Sequence, residues 1–86
     1  MKLNSDFITH TSGEQHYVVS LGRGEFKGII KNNGTAAFIC EQLKSDTTED
    51  RIVEAMLEEY EVDAETAHAA VRKVVEKLRS VGAIDD

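Results

Sequence analysis

The spacing of apolar positions changes character near Asn32. Before it they fall in short runs of period two, and after it they recur every three or four residues. Phe7 to Thr11 is a short β-capable run, Ser12-Gly13-Glu14-Gln15 reads as a turn, and His16 to Leu21 is the clearest strand in the chain. Gly22-Arg23-Gly24 makes a second turn, and Glu25 to Lys31 is expected as a third strand. Two tight turns between three short strands imply an antiparallel meander. In the third strand Phe26, Gly28 and Ile30 alternate with Lys27, Ile29 and Lys31, so one face is apolar and the other carries lysines around one isoleucine. If strand order follows chain order, this strand is an edge with free backbone groups.

Beyond Asn32 the pattern is helical. Asn33 or Thr35 can cap a first helix that runs to about Leu43, and Ala36-Ala37-Phe38-Ile39-Cys40 is apolar on nearly every side, as in the hub of a core. Thr47-Thr48-Glu49-Asp50 opens a second helix with acids near its positive end. Its expected buried stripe is Ile52, Val53, Met56, Leu57 and Tyr60, which leaves Glu54, Glu58 and Glu59 in solvent. After a short turn at Glu61-Val62 comes the longest helix, capped by Asp63, carrying Lys77 and Arg79 in its last turn and stopped by Gly82. At about 100° per residue Ala67, Ala70, Val71, Val74, Leu78 and Val81 share one side, expected to face the core. Beside them His68, Arg72, Val75 and Arg79 form a second row, placed as the lip of a binding groove. Ala83-Ile84 is expected to tuck back onto the core. Strands followed by helices make an α+β plan, with helices covering one face of a small three-stranded sheet.

The chain has 86 residues, of which 41% are apolar, enough for a single domain with one core. Residues 1–5 have no evident anchor and are expected to fray, which leaves 6–84 as the domain. No apolar run is long enough to span a bilayer and the start does not lead into a signal peptide, so a cytoplasmic protein without membrane attachment is expected. Cys40, the single cysteine, sits among apolar neighbours and reads as a buried structural thiol.

The net charge of −6 is concentrated in the middle of the chain. Residues 1–31 carry four Lys/Arg against three Asp/Glu, residues 32–63 two against nine, and residues 64–86 four against four. That distribution is the reverse of a nucleic-acid footprint. Catalytic chemistry is also absent from the pattern. His10, His16 and His68 match no metal-ligand spacing, and the clustered carboxylates lie on a solvent face where nothing would raise a pKa. Gly22-Arg23-Gly24 lacks the Lys-Ser/Thr and the helix of a phosphate loop. Neither a catalytic residue, a metal nor a cofactor is assigned. Binding is better supported: an unpaired strand edge beside an amphipathic helix can accept an extended peptide as an added strand. Lys27, Lys31, Arg72 and Arg79 would then frame it.

Several strings, in order, resemble the PqqD family of pyrroloquinoline quinone biosynthesis: Gly28-Ile29-Ile30-Lys31, Asn33-Gly34-Thr35-Ala36-Ala37-Phe38-Ile39, Thr48-Glu49-Asp50-Arg51-Ile52-Val53, Tyr60-Glu61-Val62-Asp63 and Leu78-Arg79-Ser80-Val81-Gly82-Ala83-Ile84. The resemblance covers about residues 6–84. It implies a winged-helix-like domain that binds the leader segment of a ribosomally made precursor peptide. Such a domain presents the leader to a modifying enzyme, often a radical S-adenosylmethionine enzyme. It further implies that the leader pairs with the third strand and lies against the third helix, which carries the peptide-binding role to Phe26, Lys27, Gly28, Ile29, Ile30, Lys31, His68, Arg72, Val75 and Arg79. Two positions depart from the family: Cys40 stands where an aromatic residue is frequent, and Asn32 where leucine is. The alternatives are a winged helix that binds DNA through the third helix, and an edge strand that pairs with a second copy to form a homodimer.

Overall fold

A computed structural model describes all residues, Met1–Asp86. Its elements are β1 (Lys2–Leu3), β2 (Phe7–Ser12), β3 (Gln15–Ser20), β4 (Ile29–Asn32), α1 (Gly34–Gln42), α2 (Glu49–Glu59), α3 (Ala64–Ser80) and β5 (Ile84–Asp85). Strands β2, β3 and β4 form an antiparallel sheet in chain order, so β4 is an edge as expected. The three helices follow, and the arrangement fits a winged-helix-like α+β fold.

Each helix starts where its capping residue dictates. The Asn33 side chain accepts from Ala36 N at 2.8 Å, Thr48 Oγ1 from Arg51 N at 3.2 Å and Asp63 from Thr66 N at 2.7 Å. That bond also holds the Asp63 carboxyl below its ordinary value. At the far end of α3, Gly82 takes φ +75°, and Ala83 N donates to Leu78 O while Gly82 N donates to Arg79 O, a Schellman closure. The turn points Ala83 back into the core, where it is wholly buried.

The core joins sheet and helices. Val18 of β3, Ile39 and Cys40 of α1, Leu43 just after it, Ile52 of α2, and Ala67 and Val71 of α3 have no exposed surface. Burying a side chain such as Ile39 or Leu43 contributes about 1.5–3 kcal/mol. α1 packs on α3 and on the β3–β4 side of the sheet, as expected of a hub. On α2 the buried stripe is narrower than its apolar pattern. Ile52, Val53 and Met56 are inside, but Leu57 is 41% exposed, and Tyr60 is half out with its ring edge-on to Phe38 at 5.4 Å.

Two expectations give way. Residues 1–5 do not fray: β1 pairs with β5, Leu3 N donates to Leu43 O at 2.8 Å, and Asn4 N donates to Ala83 O at 2.7 Å. Met1, Leu3 and Ile84 pack against the core from this second, two-stranded sheet. The third strand also starts later than Glu25. Residues 21–28 form a loop gathered by the buried carboxylate of Asp6, which accepts from Arg23 N and Gly24 N at 3.0 Å and from Arg23 Nε at 3.2 Å. Ser20 Oγ donates to Phe26 O, and the Phe26 ring stacks on Phe7 with centroids 6.2 Å apart. These local bonds satisfy backbone groups that an extended strand would have needed a neighbour to satisfy.

Candidate functional site

The register of the meander determines which backbone groups of β4 remain free. Ser20 N donates to Gly28 O at 3.0 Å, and Val18↔Ile30 and His16↔Asn32 lie in the same phase of the ladder. In an antiparallel pair the bonded and non-bonded positions alternate. Gly28, Ile30 and Asn32 therefore bond inward to β3, and the N–H and C=O groups of Ile29 and Lys31 project from the open edge. Side chains alternate independently of this: Ile30 packs against the core, whereas Ile29 is 65% exposed.

A cleft of about 390 Å³ runs between the end of β4 and α3. Lys31 and Asn32 border it from the strand, and Asn33, Thr35 and Ala36 from the start of α1. Across from them Ala70, Lys73, Val74 and Lys77 line the helix side, with Leu78 at the floor. A second cleft, about 580 Å³, lies at the C-terminal end of α3, between the 24–26 loop and residues 79–82. Its surroundings are mixed in charge, and its Arg79 is engaged by Asp86 at 2.7 Å.

The sequence-expected residues divide between these places. Lys31 borders the smaller cleft, while Phe26 and Arg79 line the larger one. Lys27, Gly28 and Ile29 are exposed beside the edge, and Ile30 is partly buried behind it. The expected lip on α3 does not form as one row. Val75 is 1% exposed and belongs to the core, because Ala67, Val71, Val75 and Leu78 make the line that α3 buries. His68 is exposed and lines neither cleft, and Arg72 leans toward Glu49 of α2 at 3.9 Å. The sheet side of α3 is instead the flank holding Ala70, Lys73, Val74 and Lys77. Their signal was in the sequence as a second set of neighbours at spacings of three and four, on the other shoulder of the same apolar arc.

Catalytic groups are not concentrated here. No three His, Cys, Asp or Glu side chains are arranged to hold a metal ion. Cys40 is buried, accepts a long bond from Asn32 Nδ2 at 3.5 Å, and has its pKa pushed up to about 11 by loss of solvent. No helix is long and apolar enough to cross a membrane.

No curated protein sequence matches the chain. Two solved structures share its fold. The first, TbiB1 in complex with the TbiA(beta) leader peptide, superposes with a TM-score of 0.80 at 19% identity over all of both chains. The second, lasso peptide synthetase B1 complexed with the leader peptide, gives a TM-score of 0.75 at 21% identity over 95% of this chain and 93% of the other. The family model described as Coenzyme PQQ synthesis protein D (PqqD) matches residues 15–84, and the chain belongs to that family.

Proposed function

We propose that this protein binds the leader segment of a ribosomally made precursor peptide and presents it to a peptide-modifying enzyme such as a radical S-adenosylmethionine enzyme. The leader adds as a strand to β4 and rests its side chains in the cleft against α3. The observation that carries this reading is the open edge at Ile29 and Lys31, set beside a cleft with an apolar floor. Main-chain bonds at such an edge supply affinity that is indifferent to sequence, and the cleft supplies selection. Family membership and two structural neighbours solved with leader peptides support the same reading. Holding the leader raises the effective concentration of the attached core peptide at the enzyme, so the domain contributes without performing chemistry.

The test is an isotope-edited NMR titration with the leader of a precursor encoded beside this gene. Amide shifts concentrated in Ile29–Asn32 and Ala70–Lys77 are expected. Shifts confined to the α2 face, or none at high micromolar peptide, would remove the groove from consideration.

A further inference from the structure

The cleft beside β4 is the basic exception in an acidic molecule. The chain carries 16 Asp and Glu against 10 Lys and Arg, yet no acidic side chain borders this cleft, and Lys31, Lys73 and Lys77 do. None of the three is within ion-pair distance of a carboxylate. The other cations near α3 are engaged: Arg72 faces Glu49, and Arg79 holds Asp86. Lys73 and Lys77 stand four residues apart, one turn of α3, with Ala70 and Val74 on the same flank. Asn32, Asn33 and Thr35 close the strand end with neutral polar groups.

Resting on the strand-addition reading above, we infer that this cleft selects an acidic leader: an extended segment carrying aspartate or glutamate beside an apolar residue. The apolar side chain settles on Ala70, Val74 and Leu78, and the carboxylate reaches the unpaired ammonium groups of Lys73 and Lys77. In an added strand, side chains of one face recur every second residue, so acid and apolar residue two positions apart both point to α3. An acidic segment also gains where this protein as a whole would repel it, because a local field acts within about 8–10 Å at physiological salt. Duplex DNA would meet the same lysines but also the acids of α2 and a net charge of −6, which oppose a phosphate backbone.

The test uses fluorescence anisotropy with short synthetic peptides of the repeat Val-Ser-X-Ser, where X is glutamate, glutamine or lysine, so that valine and X share one face of the added strand. The wild-type protein should bind the glutamate peptide several-fold more tightly than the glutamine peptide at low salt, and the lysine peptide least. Exposed ion pairs justify about two- to fivefold per lysine. Lys73→Gln with Lys77→Gln should abolish that preference, and Lys73→Arg with Lys77→Arg should keep it. Lys2→Gln with Lys44→Gln, which changes net charge equally but lies elsewhere, should also keep it. Equal binding of glutamate and glutamine peptides that Ile29→Pro still weakens would overturn the acidic preference and leave strand addition standing. Failure of all three peptides, or capture of duplex DNA in preference to any peptide, would overturn both.

Discussion

Ile29→Pro separates edge binding from every other use of this surface. The N–H of Ile29 points away from β3, so proline there removes no bond of the β3–β4 ladder, and edge strands tolerate proline for this reason. The side chain is 65% exposed, so little burial is lost with it. Stability should change by less than about 1 kcal/mol, within the range of substitutions away from core and caps. Leader binding loses one main-chain bond, about 1 kcal/mol, or roughly fivefold in Kd. The pyrrolidine ring on the edge adds a clash with an incoming strand, so about tenfold in total is expected. Calorimetric titration measures the affinity and a thermal melt the stability. Ile30→Pro is the contrasting variant: it deletes a bond inside the ladder opposite fully buried Val18 and should unfold the sheet. If Ile29→Ala weakens binding as much as Ile29→Pro, the side chain and the outer face of the sheet make the contact, and the edge argument is wrong.

Three further outcomes follow from the packing. Asp6→Ala should cost about 2 kcal/mol in urea unfolding, since it strands two backbone donors near a buried site, and the Arg23 and Gly24 amides should exchange faster. Val75→Ala should destabilise by about 2 kcal/mol through the cavity it leaves in the core, whereas Val74→Ala, half-exposed at the cleft, should cost less stability and more peptide affinity; the reverse pattern would mean that α3 is rotated from the arrangement described. The Cys40 thiol should resist alkylating reagents at neutral pH until the protein unfolds. Because folding raises its pKa from 9.0 to about 11, the stability it contributes is complete below pH 9 and is lost as pH rises through about 11, which denaturant titrations across that range would show.

The parts legible in the sequence were those governed by neighbours along the chain. The caps Asn33, Thr48 and Asp63, the Gly82 stop and the period-two run of β3 are local devices, and each lies where its residues require. Tertiary partners governed the rest. Nothing near Glu25 announces that Asp6, far earlier in the chain, will gather residues 21–28 into a loop, and nothing in the first residues announces that β5 will return to pair with Lys2–Leu3. Val75 was expected at the lip of a groove on α3, and it is buried, for a third reason. Apolar residues occupy a wide arc of that helix, so the centre of the buried stripe was uncertain by about 40°. Setting it too far toward Ala70 and Val74 put Val75 on the surface. A wheel also has no marker for which shoulder faces the sheet and which faces α2; the contact of Arg72 with Glu49 identifies the α2 shoulder.

Two residues that stood apart in the sequence, Asn32 and Cys40, share one place in the fold. Asn32 and Cys40 are eight residues apart, and the fold sets the amide of one against the sulfur of the other at 3.5 Å. Cys40 is wholly buried there and Asn32 is half-buried beside it. A half-buried amide needs a partner, because an unsatisfied donor near the core costs about 1–3 kcal/mol. The sulfur is the partner available, though a weak one. The Asn32 amide is thereby partnered beside α1, where Cys40 and Ile39 are both fully buried. Asn32 also borders the cleft. The residue that partners the buried thiol thus also gives the strand end of the cleft a polar lining.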